Sequence, residues 1–536
     1  MKMKRLLSAS VAAVMVVGML AGCNGGSSDT SSSAAEQFSD STDTLTLKWL
    51  GYPRNPGAEE GTLPEKVLEE KFNVDIKPMF YEENKFNDKK TMLMAGGEIP
   101  DLIYELDPLH VVQDVEQDFI VEVPYETIEK YAPKYFAYLT EYAPAAWIYS
   151  RYEDKNWGVP NYSHAHMESS QAIYRGDWLE KFGLEVPKTL DEMHTALYKF
   201  ANEDPNGNGK KDTYGITAGS HYNGYFSEIF GAYGNLPFDW EEHDGKIVYG
   251  GLTNECKEAL KTLVSWYSEG IIHPDFVLGT SAGDLFTSGQ LGYVAGGTFW
   301  DPENAKALPN TLKANNPKGK TAVGFLPTGP EGKSGLRAWG RACHVVSFGN
   351  TDGYGSKVPR MLKMFEGMFT DKELAKQLRI GNEGEHYEAA PADTYQPSNF
   401  VMIGDYEQSD AQRINGLSTD FAGPTFWCPA PVDFDTYRST KSENWLAYAN
   451  EWLDEKYCLT DYFFKVDVVP SSADYIIDLR TKQMSVMSEI IIGKKTIDDY
   501  AEFEKAWESG GGKVMTEEAN QLKDELADIY KEVGIK

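Results

Sequence analysis

The folded part of the chain opens on an alternating pattern. Residues 45–50 (LTLKWL) place apolar side chains at every second position, the period of a half-buried strand, and residues 74–80 do so again. Between them residues 64–72 carry a helical pattern, and a second helix over 86–95 stops at Gly96 and Gly97 before a third strand over 99–104. Strand-helix-strand order of this kind predicts a parallel sheet covered by helices. Ligands gather at the carboxyl ends of such strands, where Trp49 and Tyr52 fall. An extended stretch from Gly158 to Tyr174 follows, then helices over 177–182 and 189–200. Thr189 and Glu192 form a capping box for the latter, and Leu190, Met193, Leu197 and Phe200 share one face. The apolar period stops over 201–215, and strands and helices then alternate to about residue 350. A helix is expected over 357–369, residues 380–470 are irregular and rich in aromatics, and helices near 476–492, 498–507 and 517–533 end the chain.

The first 43 residues differ from everything that follows. Residues 1–5 (MKMKR) are basic and residues 6–22 apolar or small, the two regions of an export signal, and the apolar run is short for a membrane span. The run ends in Leu20-Ala21-Gly22-Cys23, which resembles the lipobox of bacterial lipoproteins, so Cys23 is expected to carry the lipid. Residues 24–43 are rich in Gly, Ser and Asp with little to bury, the composition of a flexible tether. The expected location is therefore the extracellular face of the cell membrane, lipid-anchored. The remaining length, out of 536 residues, suits two to four domains at roughly 150 residues each. Lys and Arg number 51 against 82 Asp and Glu, a net charge of −31 that repels phosphate backbones and argues against nucleic acid as a partner. Four cysteines follow the lipobox, Cys256, Cys343, Cys428 and Cys458, without the C-x-x-C spacing of zinc or dithiol sites. Export permits disulfides, though buried thiols are the simpler expectation.

One loop carries a specific chemical pattern. In DPNGNGKKD, Asp204, Asn206, Asn208 and Asp212 stand at relative positions 1, 3, 5 and 9, with Gly209 at position 6. Alternate residues of such a loop turn their oxygens inward around calcium, Gly permits the sharp turn, and Lys210 can offer its backbone carbonyl. Position 12 is Gly215, so the bidentate Glu of a sensor EF-hand is missing. Gly279 to Gly283 (GTSAG) matches the G-x-S-x-G nucleophile elbow, but the short Phe276-Val277-Leu278 run before it suits a helix cap better than a buried strand. His164 and His166 form an H-x-H pair that reads more simply as a polar loop. The chain has no H-E-x-x-H, P-loop or dinucleotide fingerprint.

Residues 174–215 (YRGDWLEKFGLEVPKTLDEMHTALYKFANEDPNGNGKKDTYG), with 92–103 (MLMAGGEIPDLI), 157–160 (WGVP), 288–300 (SGQLGYVAGGTFW), 381–387 (GNEGEHY) and the lipobox, resemble the family 1 extracellular solute-binding proteins of ABC transporters. The similarity lies within the lipoprotein group that includes alginate- and fructo-oligosaccharide-binding members. It implies an α/β, two-lobed, periplasmic-binding-protein-like fold, each lobe a mainly parallel sheet flanked by helices, with the ligand cleft between lobes. The implied division is a signal peptide over 1–22, a tether over 23–43, a first lobe over 44–163 and 323–395, and a second lobe over 164–322 and 396–536, the last with crossing segments. The calcium loop, 204–213, falls in the second lobe, and the resemblance assigns Asp204, Asn206, Asn208, Lys210 and Asp212 to a structural ion. Some relatives have a further acid where this chain has Thr213.

The function implied is capture of an oligosaccharide and its delivery to the permease subunits of an ABC transporter, by a monomer with no chemistry performed on the sugar. Sugar rings present apolar faces to aromatic side chains. Trp300 and Trp427 are the first candidates to stack on them, with Trp49, Tyr52, Tyr222 and Trp339 as secondary ones. A surface-anchored polysaccharide hydrolase and a peptide-binding or adhesion lipoprotein are the alternatives.

Overall fold

The computed structural model describes residues 37–52, 55–82, 85–162, 171–219, 222–295, 308–338, 342–390, 399–417, 443–452, 454–463 and 468–534. Two sheets organise them. The first runs Val74–Pro78, Leu45–Leu50, Leu102–Glu105, Ala342–Phe348, Gly158–Tyr162, and its first three strands are parallel. Helices Leu63–Phe72 and Phe86–Ala95 make the connections, as the apolar periods predict. Asn73 ends the first of them in the left-handed conformation, φ 51°, which a short polar side chain tolerates.

The second sheet runs Tyr293–Ala295, Ala172–Arg175, Thr321–Gly324, with the central strand antiparallel to both neighbours. Its outer strands are parallel to each other and joined through helix Leu308–Asn315, while isolated parallel bridges, Tyr214 with Leu291 and Ile216 with Ile272, extend the edge. The same arrangement appears in the first sheet, where Ala342–Phe348 lies antiparallel between Leu102–Glu105 and Gly158–Tyr162. In each sheet the antiparallel strand is the one that arrives from the other sheet. A helical crossover within one lobe imposes parallel pairing, whereas a strand entering from outside fills the gap in the opposite sense. The expectation of mainly parallel sheets is corrected in this respect: the first is mixed, and both ladders of the second are antiparallel, with parallel pairing only in the isolated bridges at its edge.

The C-terminal helices Ser472–Ile491, Ala501–Ser509 and Gly512–Glu532 pack with helix Asn254–Ser268 and the hairpin Trp240–His243, Lys246–Tyr249. Their core is aromatic. Tyr249 stacks on Trp507 at 4.0 Å, and Trp240 meets both edge-on at 5.7 and 5.9 Å. Asn520, on the last helix, bonds both backbone groups of Ile247. At its far end Glu532 pairs with Arg151 at 2.7 Å, beside the first sheet, so one helix touches both halves of the molecule. Cys256 is buried in this packing with its sulfur 3.6 Å from the Tyr500 hydroxyl, and burial pushes the thiol up to about 12. Among the described residues no helix is long and apolar enough to cross a membrane.

Trp240 is wholly buried at the centre of the aromatic cluster. Trp240→Ala is expected to lower stability by about 3–5 kcal/mol through lost burial and the cavity left behind, measured by denaturant unfolding. A loss under about 1 kcal/mol would show that this cluster is not tightly packed.

Candidate functional site

Where the chain crosses between sheets, the strand Leu336–Arg337 pairs in parallel with Cys458–Leu459. Beside it, at the end of Tyr293–Ala295, lies a pocket of about 210 Å³ whose polar lining includes Thr217, Ser227, Glu228, Tyr293 and Arg337. Glu228 stands at the start of the short helix Ser227–Ala232 and is buried. Burial raises its carboxyl to about 7, an effect its own backbone N–H only partly offsets. The rings of Tyr174 and Tyr293 lie 4.9 Å apart, and burial and the nearby Glu228 carboxylate push both phenols up. Among the described residues, the hydroxyls of Thr217, Tyr174 and Tyr293 are buried without a hydrogen-bond partner. A buried hydroxyl left unpaired costs about 1–3 kcal/mol; Thr217 and Tyr293 carry theirs in residues that line the pocket, and Tyr174 packs behind Tyr293.

Arg337 is held from behind. Its Nε and Nη2 donate to the two carboxylate oxygens of Asp239 at 2.9 and 3.2 Å, in the bidentate geometry that suits guanidinium. Arg480 stands 3.9 Å from the same carboxylate, donates to the Phe238 carbonyl at 2.8 Å and lies over the Tyr222 ring at 4.0 Å. Asp461 completes the cluster, accepting from the backbone N–H groups of Trp240 and Phe463 at 2.7 and 2.8 Å. Burial, then the nearby Asp239 charge, pushes the Asp461 carboxyl upward.

On the first sheet's side, Tyr52 is half-buried and meets Tyr104 and His344 edge-on at 5.3 and 5.9 Å. Trp49 is not beside it. Leu47 and Trp49 share the inward face of a strand with period two, and Trp49 is wholly buried with its ring edge-on to Phe365 at 6.3 Å. It is a core residue with no ring face left for a sugar, which corrects its candidacy. Tyr222 lies between the pocket-lining Gly219 and Gly224, its ring occupied by Arg480. Trp300, Trp339 and Trp427, with His164 and His166, lie outside the described residues. Ala295, the last described residue before Trp300, lines the pocket, as does Arg337, two residues before Trp339. Beneath this side Lys90 donates to Glu105 and Asp114 at 2.7 and 2.9 Å, all three buried, and burial and the Glu105 charge raise the Asp114 carboxyl to about 7.

The loop after helix Leu190–Asn202 is far better ordered than its polarity suggests. Both halves of the Thr189–Glu192 capping box form. At the exit Asp204, Gly207 and Gly209 all take positive φ, which folds the loop back on itself. Asp204 accepts from the backbone N–H groups of Asn208 and Gly209 at 3.1 and 3.0 Å. The amides of Asn206 and Asn208 both donate to Asp212, at 3.2 and 3.0 Å. Four oxygen-bearing side chains thus converge, a donor set suited to a hard divalent cation once the amide oxygens face it. Thr213 is buried and donates to the Phe200 carbonyl at 2.8 Å, so its side chain is engaged by the helix end rather than directed to the loop. Among the described residues no cluster of three or more His, Cys, Asp or Glu could hold a metal, and the loop itself has only two acids. Ser281 accepts from the Asp284 N–H at 3.3 Å as N-cap of helix Ala282–Thr287, the role expected of it in place of a nucleophile.

The Glu228 shift has a stability consequence. In the unfolded chain its pKa returns to the ordinary range near ~4.3, so between there and about 7 the fold binds the proton more tightly. That contribution is complete below the unfolded value and is lost as pH rises through the folded one. Removing the charge with Glu228→Gln is expected to raise stability relative to the native chain by on the order of 3 kcal/mol more at pH 8 than at pH 4, measured by thermal or denaturant melts. A pH-independent difference would mean that the carboxyl is not held neutral.

Known proteins share this plan. A family model described as bacterial extracellular solute-binding protein matches residues 56–354, more than half of the chain. Lipoprotein LipO of Bacillus subtilis is 27% identical over 380 residues, 69% of this chain and 71% of that protein. The polygalacturonan/rhamnogalacturonan-binding protein YtcQ of the same organism is 24% identical over 412 residues, 75% and 77% of the two chains. The fructooligosaccharide ABC transporter substrate-binding protein FusA of Streptococcus pneumoniae is 29% identical over 297 residues, 51% of this chain and 53% of that one. The solved structure of FusA in complex with kestose superposes with a TM-score of 0.60 over 90% of this chain and 100% of that one, at 18% identity, a likeness of fold. A crossing between two sheets flanked by helices, a pocket at the crossing and a serine that caps a helix accord with this match, and the chain belongs to the bacterial extracellular solute-binding protein family.

Proposed function

We propose that this solute-binding protein is the lipid-anchored receptor of an ABC transporter, capturing an oligosaccharide in the cleft between its lobes and passing it to the permease. The observation that carries the sugar reading is the row of unpaired buried hydroxyls, Thr217 and Tyr293 with Tyr174 behind, lining or backing the pocket beside Glu228. Sugar hydroxyls donate and accept equally well and match such a row. The similarity to YtcQ, a polygalacturonan/rhamnogalacturonan-binding protein, and to FusA, a fructooligosaccharide-binding one, supports the same class of ligand. The lipobox ending in Cys23, and the description of LipO as a lipoprotein, support anchoring on the outer face of the membrane.

Trp300 and Trp427 are the first candidates to stack on sugar rings in this reading, with Tyr52, Tyr222 and Trp339 as secondary ones. Trp300 follows five residues after pocket-lining Ala295. Calcium sits in the loop of Asp204, Asn206, Asn208 and Asp212, with the Lys210 carbonyl as a fifth ligand, and there it fastens the exit of helix Leu190–Asn202. A structure of FusA described as an EF-hand mutant points to such a loop in that protein. Two acids oppose the ion's charge, which suits the weak affinity of extracellular modules, about 0.1–1 mM.

Titration calorimetry of the purified protein against neutral and uronate oligosaccharides tests the reading, with recovery of unaltered sugar afterwards; hydrolysis of the sugar would favour the surface hydrolase instead. With the tightest binder, Trp300→Ala is expected to weaken affinity by about 1–3 kcal/mol without unfolding the protein. Unchanged affinity in a folded variant would remove Trp300 from the site. Added calcium is expected to raise the melting temperature and chelator to lower it. Asp204→Ala should abolish that response and leave sugar preference intact; a melting curve indifferent to chelator, in protein that contains no metal, would leave the loop a hydrogen-bonded turn.

A further inference from the structure

The pocket has an electrostatic character that narrows its ligand, an inference that rests on the oligosaccharide reading above. Recognition of a uronate carboxylate calls for a guanidinium or ammonium that can turn its donors to the ligand. Among the described residues, the cations around the pocket are each engaged by an acid or a ring. Arg337 gives its Nε and Nη2 to Asp239, and Arg480 is spread over the Phe238 carbonyl, the Tyr222 ring and the edge of Asp239. On the first sheet's side Lys90 is shared between two buried acids, Glu105 and Asp114. The acids outnumber their partners on both sides: Glu228, Asp239 and Asp461 against Arg337 and Arg480, and Glu105 and Asp114 against Lys90. The remaining polar groups of the pocket are hydroxyls without charge, Thr217, Ser227 and Tyr293.

We infer that this pocket selects uncharged sugars, and that Glu228 is the specificity-determining residue, taking a ring hydroxyl with its carboxyl and turning uronates away. A uronate seated here would place a second carboxylate beside Glu228, where two ionised carboxylates repel strongly and no cation among the described residues is given over to the pair, so that once Glu228 has lost its proton a uronate must either take one up again or stay out. A neutral sugar has the opposite relation to the same group. Its hydroxyl donates to the carboxylate, a charge-assisted bond, or accepts from the protonated acid, and burial keeps both forms accessible near neutral pH.

The test is calorimetry of the mature chain at pH 8.5, where Glu228 is ionised, with two sets of probes, kestose and maltotriose on one side and trigalacturonate and trimannuronate on the other. The tightest binder is expected to be neutral, at least tenfold tighter than either uronate. Glu228→Gln should weaken that neutral ligand at least fivefold and narrow the gap to the uronates. Should Gln prevent folding, Glu228→Asp, which keeps the charge but withdraws the carboxyl, is expected to bring the same loss. A uronate that binds tightest, or a folded Glu228 variant that binds the neutral sugar unchanged, overturns the inference and leaves the oligosaccharide receptor standing. Binding of none of the four probes, nor of any other neutral or acidic oligosaccharide, overturns the receptor reading and this inference with it.

Discussion

Each sheet of this protein is completed by a strand that arrives from the other. Ala172–Arg175 enters from the first sheet and wedges antiparallel between Tyr293–Ala295 and Thr321–Gly324, and Ala342–Phe348 makes the reciprocal move between Leu102–Glu105 and Gly158–Tyr162. Each sheet therefore depends on the crossing for its central pairings. The ladder groups of the neighbouring strands would lose their partners if the crossing strand were withdrawn, a cost that grows with every buried backbone group. The crossing cannot be moved without moving both sheets, and the pocket lined by Glu228 and Arg337 lies beside it.

The ion pairs around Arg337 follow from that placement. Its strand, Leu336–Arg337, pairs with Cys458–Leu459, and Asp239 ties it to the hairpin that underlies the C-terminal helices. Buried ion pairs are weak contributors to stability because desolvation offsets their attraction. Their fixed geometry is what matters here, since the bidentate contact sets where the crossing strand lies relative to the pocket wall. The last helix, held to Ile247 through Asn520 and to Arg151 through Glu532, makes a second connection between the two halves on another side.

What could be read in the sequence was local. The capping box at Thr189, the stop at Gly96 and the three C-terminal helices all rest on residues within a few positions of one another, and each formed as read. The loop at Asp204 belongs to the same class, because its converging side chains lie within nine residues. Strand direction was not legible, because the partner of each antiparallel strand is chosen by a crossing that periodicity does not record. Trp49 was misplaced by a rule about strand ends when its period-two partner Leu47 already put it on the buried face. Glu228, Asp239 and Asp461 carry no motif among 82 acids, and only burial and proximity single them out. The fold class itself was legible, through the alternation of strands and helices and through the family resemblance.

A ligand held beside the crossing is expected to engage both lobes and so to favour a closed arrangement, since a ligand shifts a conformational equilibrium only by binding one state better than the other. Small-angle X-ray scattering of the mature chain, with and without a saturating oligosaccharide shown by calorimetry to bind, measures this directly. A smaller radius of gyration and a shorter maximum dimension are expected in the complex. Superimposable profiles at full saturation would contradict it.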